Sequence, residues 1–137
     1  MQLLSKTEHL SLFYAPNLVS LCAIWTGKIN GTDFRIGADI IEMALHDHRT
    51  GKLITCSSPI HVTDPEATKY LAHQWLPRVA GRALIYWADV VPSLSRTKNA
   101  SPDSGIGTVE EQHAIPGIIL AQFAALDEAK AWIKTKQ

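Results

Sequence analysis

The sequence predicts an α/β fold built on a mostly parallel sheet, and three observations carry that expectation. Apolar, strand-like runs alternate with segments whose apolar residues recur every three or four positions. Such alternation implies parallel strands joined by crossover helices. The run Ala83-Leu84-Ile85-Tyr86-Trp87-Ala88-Asp89-Val90-Val91 is apolar almost throughout, as strands covered on both faces are. The 137 residues include 46% hydrophobic and 19% charged side chains, values of one globular domain spanning 1–137 rather than of a disordered chain.

The elements follow in order. Residues 9–15 alternate weakly and read as a strand. Pro16-Asn17 signals a turn, and residues 18–25 form a second apolar run ended by Thr26-Gly27. The short break between the runs predicts an antiparallel N-terminal hairpin. A helix follows, with Thr32 or Asp33 as its cap. Phe34, Ala38, Ile41 and Leu45 recur along one face, widened by Ile40 and Ala44, and Gly51 is placed to end it in a left-handed C-cap. Lys52-Leu53-Ile54-Thr55-Cys56 is a short strand, closed by Ser57-Ser58-Pro59.

The second helix starts at Thr63-Asp64-Pro65-Glu66, which fits either a capping box from Thr63 or an Asp64 cap before a first-turn proline. Its apolar face is Ala67, Tyr70, Leu71, Trp75 and Val79, with a break expected just before Pro77. The strand at 83–91 comes next. Residues 92–107 are rich in Ser, Asn, Pro and Gly and read as a loop. A short helix is expected from Thr108, with Glu111 completing a capping box. Pro116-Gly117 breaks it, residues 118–123 form the last strand, and Asp127 caps a final helix bearing Ala129, Trp132 and Ile133. The expected architecture is therefore five strands, mostly parallel after the hairpin, with about four helices.

Composition narrows the function. Thirteen Lys and Arg balance thirteen Asp and Glu. Zero net charge argues against a nucleic-acid binder, which needs a basic excess to meet phosphates. No apolar run approaches the ~18 residues of a membrane span. The first residues lack the basic and apolar regions of a signal peptide, so the expectation is a cytoplasmic protein that is not an integral membrane protein. In that compartment Cys22 and Cys56 are expected as buried, reduced thiols. The neutral charge and open sheet edges are compatible with a homodimer.

The candidate chemistry is sparse. His46-Asp47-His48 is the densest histidine cluster, but residues two apart on a helix point to opposite sides, so they cannot hold one ion. His61, His73 and His113 have no ligand spacing to a Cys or carboxylate. Cys56 and His61 lack an orienting third group for nucleophilic catalysis. No metal, cofactor or catalytic residue is assigned. Asp89 stands out as an acid inside an apolar strand: either it aims at a pocket near the strand's carboxyl end, as part of a partner or ligand edge with Ser57, Ser58 and Pro59, or it reaches a partner such as a backbone N–H, Arg35 or Arg78. Ser57, Ser58 and Pro59 lie at the carboxyl end of a strand, where open α/β sheets bind ligands. Trp25, Trp75 and Trp87 suit either a core or the wall of an apolar pocket.

Several motifs in order resemble the small STAS-like group, related in fold to bacterial anti-sigma-factor antagonists, the SpoIIAA-like fold. They are Trp25-x-Gly27 followed by Thr32-Asp33-Phe34-Arg35-x-Gly37, then Gln74-Trp75-Leu76-Pro77, then Tyr86-Trp87-Ala88-Asp89-Val90-Val91-Pro92, and finally Phe123-x-x-Leu126-Asp127-Glu128-Ala129-x-x-Trp132. The resemblance covers about residues 18–133. It implies a non-enzymatic, switchable binding module of bacterial regulation, with an unknown protein as partner. The antagonists carry a phosphorylatable serine in an Asp-Ser-Ser-Gly-like turn. Here Thr55-Cys56-Ser57-Ser58-Pro59 keeps two serines but neither the Asp nor the Gly. The wider fold includes lipid-exchange domains, so a small apolar ligand in a Trp-lined pocket is the alternative expectation.

Overall fold

The computed structural model describes residues 1–27, 29–56, 65–91 and 110–136. Among these residues the chain forms a six-stranded mixed sheet and three helices. The strands are β1 (Gln2–Lys6), β2 (Leu10–Ala15), β3 (Ser20–Trp25), β4 (Gly51–Cys56), β5 (Leu84–Val90) and β6 (Ile119–Phe123). They lie side by side in chain order. β1, β2 and β3 pair antiparallel, whereas β3 through β6 are all parallel.

Helix α1 (Gly31–His48) crosses from β3 to β4. A second helix, α2, joins Pro65–Tyr70, a π-helical turn at Leu71–Trp75 and Leu76–Val79. Helix α3 (Leu126–Lys134) follows β6. Two apolar layers result. On one face Ala38, Ile41 and Leu45 of α1 and Tyr70, Trp75 and Val79 of α2 pack on Leu10, Leu12, Leu21, Leu53 and Leu84. On the other, Ala129, Trp132 and Ile133 of α3 pack on Ile54, Ala88, Val90, Ala121 and Phe123.

Six expectations are corrected. The sheet has six strands rather than five, because Gln2–Lys6 pairs with β2. β1 is a half-exposed edge whose residues do not alternate, so it leaves no two-residue period to read. Its register shifts between Leu3 and Ser5 and it ends on Lys6, both features that oppose edge-on association. The third strand begins at Ser20, since Leu18 and Val19 close the preceding turn through Leu18 N–H to Ala15 O and Val19 N–H to Pro16 O.

Helix ends differ as well. Asn30, not Thr32 or Asp33, caps α1: its side chain accepts from Asp33 N at 2.8 Å. Asp33 instead serves in the first turn, where a carboxylate meets the positive helix end. Arg49, at φ 51°, takes the left-handed C-cap position assigned to Gly51, which opens β4 instead. The last helix is capped by Ala125 rather than Asp127, which moves into its first turn.

The sixth is the helix expected near Thr108. Thr108 lies outside the described residues, but Gln112 exchanges two backbone hydrogen bonds with Leu120, at 2.7 and 3.0 Å, as extended chain along β6. The described helices thus number three rather than about four. The break before Pro77 takes the form of the π-helical turn. Proline offers no N–H and its ring crowds the carbonyl four residues back, and one wider turn absorbs both defects without ending the helix.

Candidate functional site

The parallel register builds a polar row across the sheet. Thr55 on β4 stands beside Asp89 on β5, and Asp89 beside Gln122 on β6. All three lie one residue before the carboxyl ends of their strands. Side chains alternate between faces along a strand, so this row shares the face of Leu53 and Trp87, toward α1 and α2. Tyr86, Ala88 and Val90 turn to the α3 face, as the pattern of the strand predicts.

The row is hydrogen-bonded from Trp87 to Asp89. Trp87 Nε1 donates to Thr55 Oγ1 at 2.8 Å, and the Thr55 hydroxyl donates to Asp89 Oδ1 at 2.8 Å. Gln122 stands beside Asp89 on the neighbouring strand, where its side chain favours the charged carboxylate. Burial lifts the Asp89 carboxyl above its usual range, and the bond from Thr55 and the Gln122 side chain pull it part of the way back. Neither Arg35 nor Arg78 is the partner expected for Asp89; both guanidinium groups lie over the Tyr70 ring, at 4.7 and 5.6 Å from its centroid.

The raised carboxyl has a consequence for stability. A folded-state pKa above the unfolded value of about 3.9 means that the folded chain holds its proton more tightly. The wild type is therefore expected to lose stability as pH rises from about 4 through the folded-state value, and to stay lower at neutral pH. Asp89→Asn keeps an oxygen for Thr55 and removes the charge. It is expected to gain on the order of 1 kcal/mol at pH 7 and nothing at pH 3, where Asp89 is already neutral. Thermal melts of both proteins across that range check the sign. A variant less stable at pH 7 contradicts it.

The tryptophans are placed as follows. Trp25 is buried and stacks on Phe34, with ring centroids 5.4 Å apart. It fills the space beside Gly37 so closely that a Cβ there would sit 2.4 Å from the indole. Trp75 is buried, and its Nε1 donates to Ala38 O at 2.8 Å. Trp87 is half-buried and meets Trp75 edge-on, with centroids 6.4 Å apart. Two of the three candidate pocket residues thus serve the core, and only Trp87 touches the polar row.

Ser57, Ser58, Pro59 and His61 lie outside the described residues. Ser57 directly follows Cys56, the last residue of β4, and is two residues beyond Thr55 in the sequence. Sequence reasoning found Asp89 but missed Thr55 and Gln122. Neither has a distinguishing signal in the sequence; only the register of β4, β5 and β6 sets them beside Asp89.

A second surface lies on α1 and α2. Arg78 binds Glu42 through Nε at 3.1 Å and Nη2 at 2.8 Å, and Nη2 also donates to the Tyr70 hydroxyl at 2.8 Å. Tyr70 in turn donates to Asp39. Burial and the Asp39 bond raise the Tyr70 phenol, so it stays a neutral donor. These contacts fasten α2 to α1. Beside them, Asp39, Ile40, Glu42, Met43 and His46 line an open concavity of about 460 Å³ that no tryptophan borders. His46 faces Glu42 at 3.8 Å, and His48 stacks on Tyr14 at 4.8 Å. Among the described residues no group of three or more His, Cys, Asp or Glu is placed to hold a metal ion. No described helix is long and apolar enough to cross a membrane. Comparison with family models, curated proteins and solved structures returns no match for this chain.

Proposed function

We propose that the chain is a non-enzymatic STAS-like module of cytoplasmic regulation, which binds a protein partner through the carboxyl edge of its sheet. The observation that carries this reading is the row Thr55–Asp89–Gln122. It places a half-buried, hydrogen-bonded carboxylate at the strand ends where open α/β sheets meet their ligands. In sequence Thr55 stands two residues before Ser57-Ser58, the pair that the resemblance to the antagonists would align with their switch serine. Parallel strands in chain order after an antiparallel hairpin agree with such a fold. Two free cysteines suit a reducing compartment. The alternative, a small apolar ligand in a Trp-lined pocket, draws support from Trp87 alone, because Trp25 and Trp75 are packed in the core.

The edge is tested with the Asp89→Asn protein. Tagged wild type and variant are used to capture partners from lysate of the cells that make the protein, and the captured proteins are quantified. A protein held by the wild type and lost by the equally folded or stabler variant supports the edge. Capture that is unchanged by the substitution moves the binding surface elsewhere.

A further inference from the structure

On the face of the sheet that α3 covers, Cys22 is fully buried, whereas Cys56 is partly open to solvent rather than buried as expected. Charged groups meet the same face beside Trp132. Tyr86 of β5 turns to this face and meets the Trp132 indole at 80°, with ring centroids 6.2 Å apart. The two rings form a corner, and Phe123 backs the indole at 5.8 Å. Glu111 closes a third side. It precedes Gln112, which pairs with β6, and its Oε2 accepts from Trp132 Nε1 at 2.9 Å.

The ammonium of Lys136 lies in this corner. Its Nζ is 5.0 Å from the Trp132 ring centroid and 5.5 Å from that of Tyr86, and it donates to Glu111 Oε2 at 2.6 Å. The bonds from Lys136 and Trp132 hold the Glu111 carboxyl below its usual range, so it is charged at neutral pH. Two ring faces and a carboxylate around one cation are the composition of a site that recognises ammonium groups.

We propose that Tyr86, Trp132 and Glu111 form a binding site for quaternary ammonium groups, with the Lys136 side chain as its built-in competitor. The inference is independent of the partner proposed above, since Tyr86 and Asp89 face opposite sides of the sheet. Lys136 fills the corner without being one of its walls. Its side chain is 21% exposed, and an ion pair open to water holds weakly. A primary ammonium is also strongly hydrated, which favours its return to solvent. A quaternary ammonium has no N–H to hydrate and presents its methyl groups to both ring faces. Its charge replaces that of Lys136, so the balance at Glu111 is kept. The backbone does not depend on the exchange. Lys136 N–H donates to Ile133 O at 3.0 Å, and Lys136 O accepts from Lys52 Nζ at 2.8 Å.

The test is titration of the isotope-labelled chain with tetramethylammonium chloride, against sodium chloride at the same ionic strength, read at the Trp132 indole N–H resonance. Trp132→Phe assigns that resonance, and circular dichroism checks folding. Lys136→Ala and Lys136→Gln each vacate the corner, so a fold lost in one variant leaves the other to be read. The emptied protein is expected to bind about tenfold or more tighter than the wild type, the share that Lys136 withholds. Tyr86→Leu or Glu111→Gln, added to the emptying substitution, is expected to weaken binding about fivefold or more. Choline and a peptide carrying trimethyllysine then distinguish the source. An affinity for choline that matches or exceeds the peptide's means a free small ammonium, and a tighter peptide means a methylated partner chain. A folded, emptied protein that responds only as it does to sodium chloride, equal affinities with and without the Lys136 side chain, or binding unchanged by Tyr86→Leu overturns the proposal.

Discussion

Trp75→Ala is expected to cost about 3–5 kcal/mol of stability, the largest effect of any single substitution considered for this chain. The indole is buried between α1 and α2, so its removal leaves a cavity that the two helices cannot fill without moving. Its N–H also ties α2 to Ala38 O of α1. Trp75→Phe separates the two contributions. It keeps most of the ring volume and deletes the donor, and its expected cost is about 1 kcal/mol from the lost hydrogen bond. The effect should reach the polar row as well. Trp75 braces Trp87, Trp87 donates to Thr55, and Thr55 donates to Asp89. Loosening Trp87 is therefore expected to weaken the pH dependence that Asp89 imposes. Chemical denaturation of the three proteins at pH 4 and pH 7 measures all of this. A Trp75→Ala protein within about 1 kcal/mol of the wild type would show that the indole is not part of a packed core.

Gly117→Ala is the second. Gly117 sits at φ 85° in the turn that leads into β6, facing Gly81 in the turn that leads into β5. A Cβ there would lie 2.8 Å from Gly81 N and 2.9 Å from Gly81 Cα. These are backbone atoms, which cannot swing aside as the end of a side chain can. The left-handed backbone and the collision together are expected to cost about 2–4 kcal/mol. Gly81→Ala is the internal control. It also carries a positive φ, at 73°, but its Cβ meets Gly117 Cα at an ordinary 3.4 Å. Its expected cost is the conformational part alone, about 1–2 kcal/mol. Equal losses in the two variants would mean that the turns are not held in contact. The contact matters to the site because it sets where β6 begins, and so whether Gln122 arrives beside Asp89.

The elements that announced themselves in the sequence are those with one buried face and strong local signals. The stripe of Ala38, Ile41 and Leu45 marks α1 because those residues meet the sheet. The run from Ala83 to Val91 marks β5, and the opposed faces of Trp87 with Asp89 and of Tyr86 with Ala88 follow from two-residue alternation alone. β1 was illegible because an edge strand half in water has no reason to alternate. The caps differ by two or three residues; at α1 this is because Asn30 and Thr32-Asp33 offer equivalent oxygens, and tertiary contacts decide among them. His9 shows the contact involved at α1: its ring reaches Thr26 O at 3.1 Å and Asp33 at 3.4 Å, drawing Asp33 away from a capping role. At the site, Asp89 was legible as a polar residue in apolar company. Thr55 and Gln122 were not, because a threonine is at home in any strand and Gln122 belongs to an edge. Only the register of β4, β5 and β6 turns these three residues into one row.

The role proposed for this chain is to hold a protein at the carboxyl edge of its sheet. Native mass spectrometry of the chain, purified gently from the cells that make it, is the experiment that bears on it. The expected result is an assembly heavier than one chain that separates on activation into this chain, without a retained small molecule, and a second protein. A phosphate that survives denaturation and maps to Ser57 or Ser58 would identify the charge that switches the assembly. The contradicting result is a lone chain carrying a small-molecule mass that vanishes on denaturation, which would make the protein a ligand carrier instead.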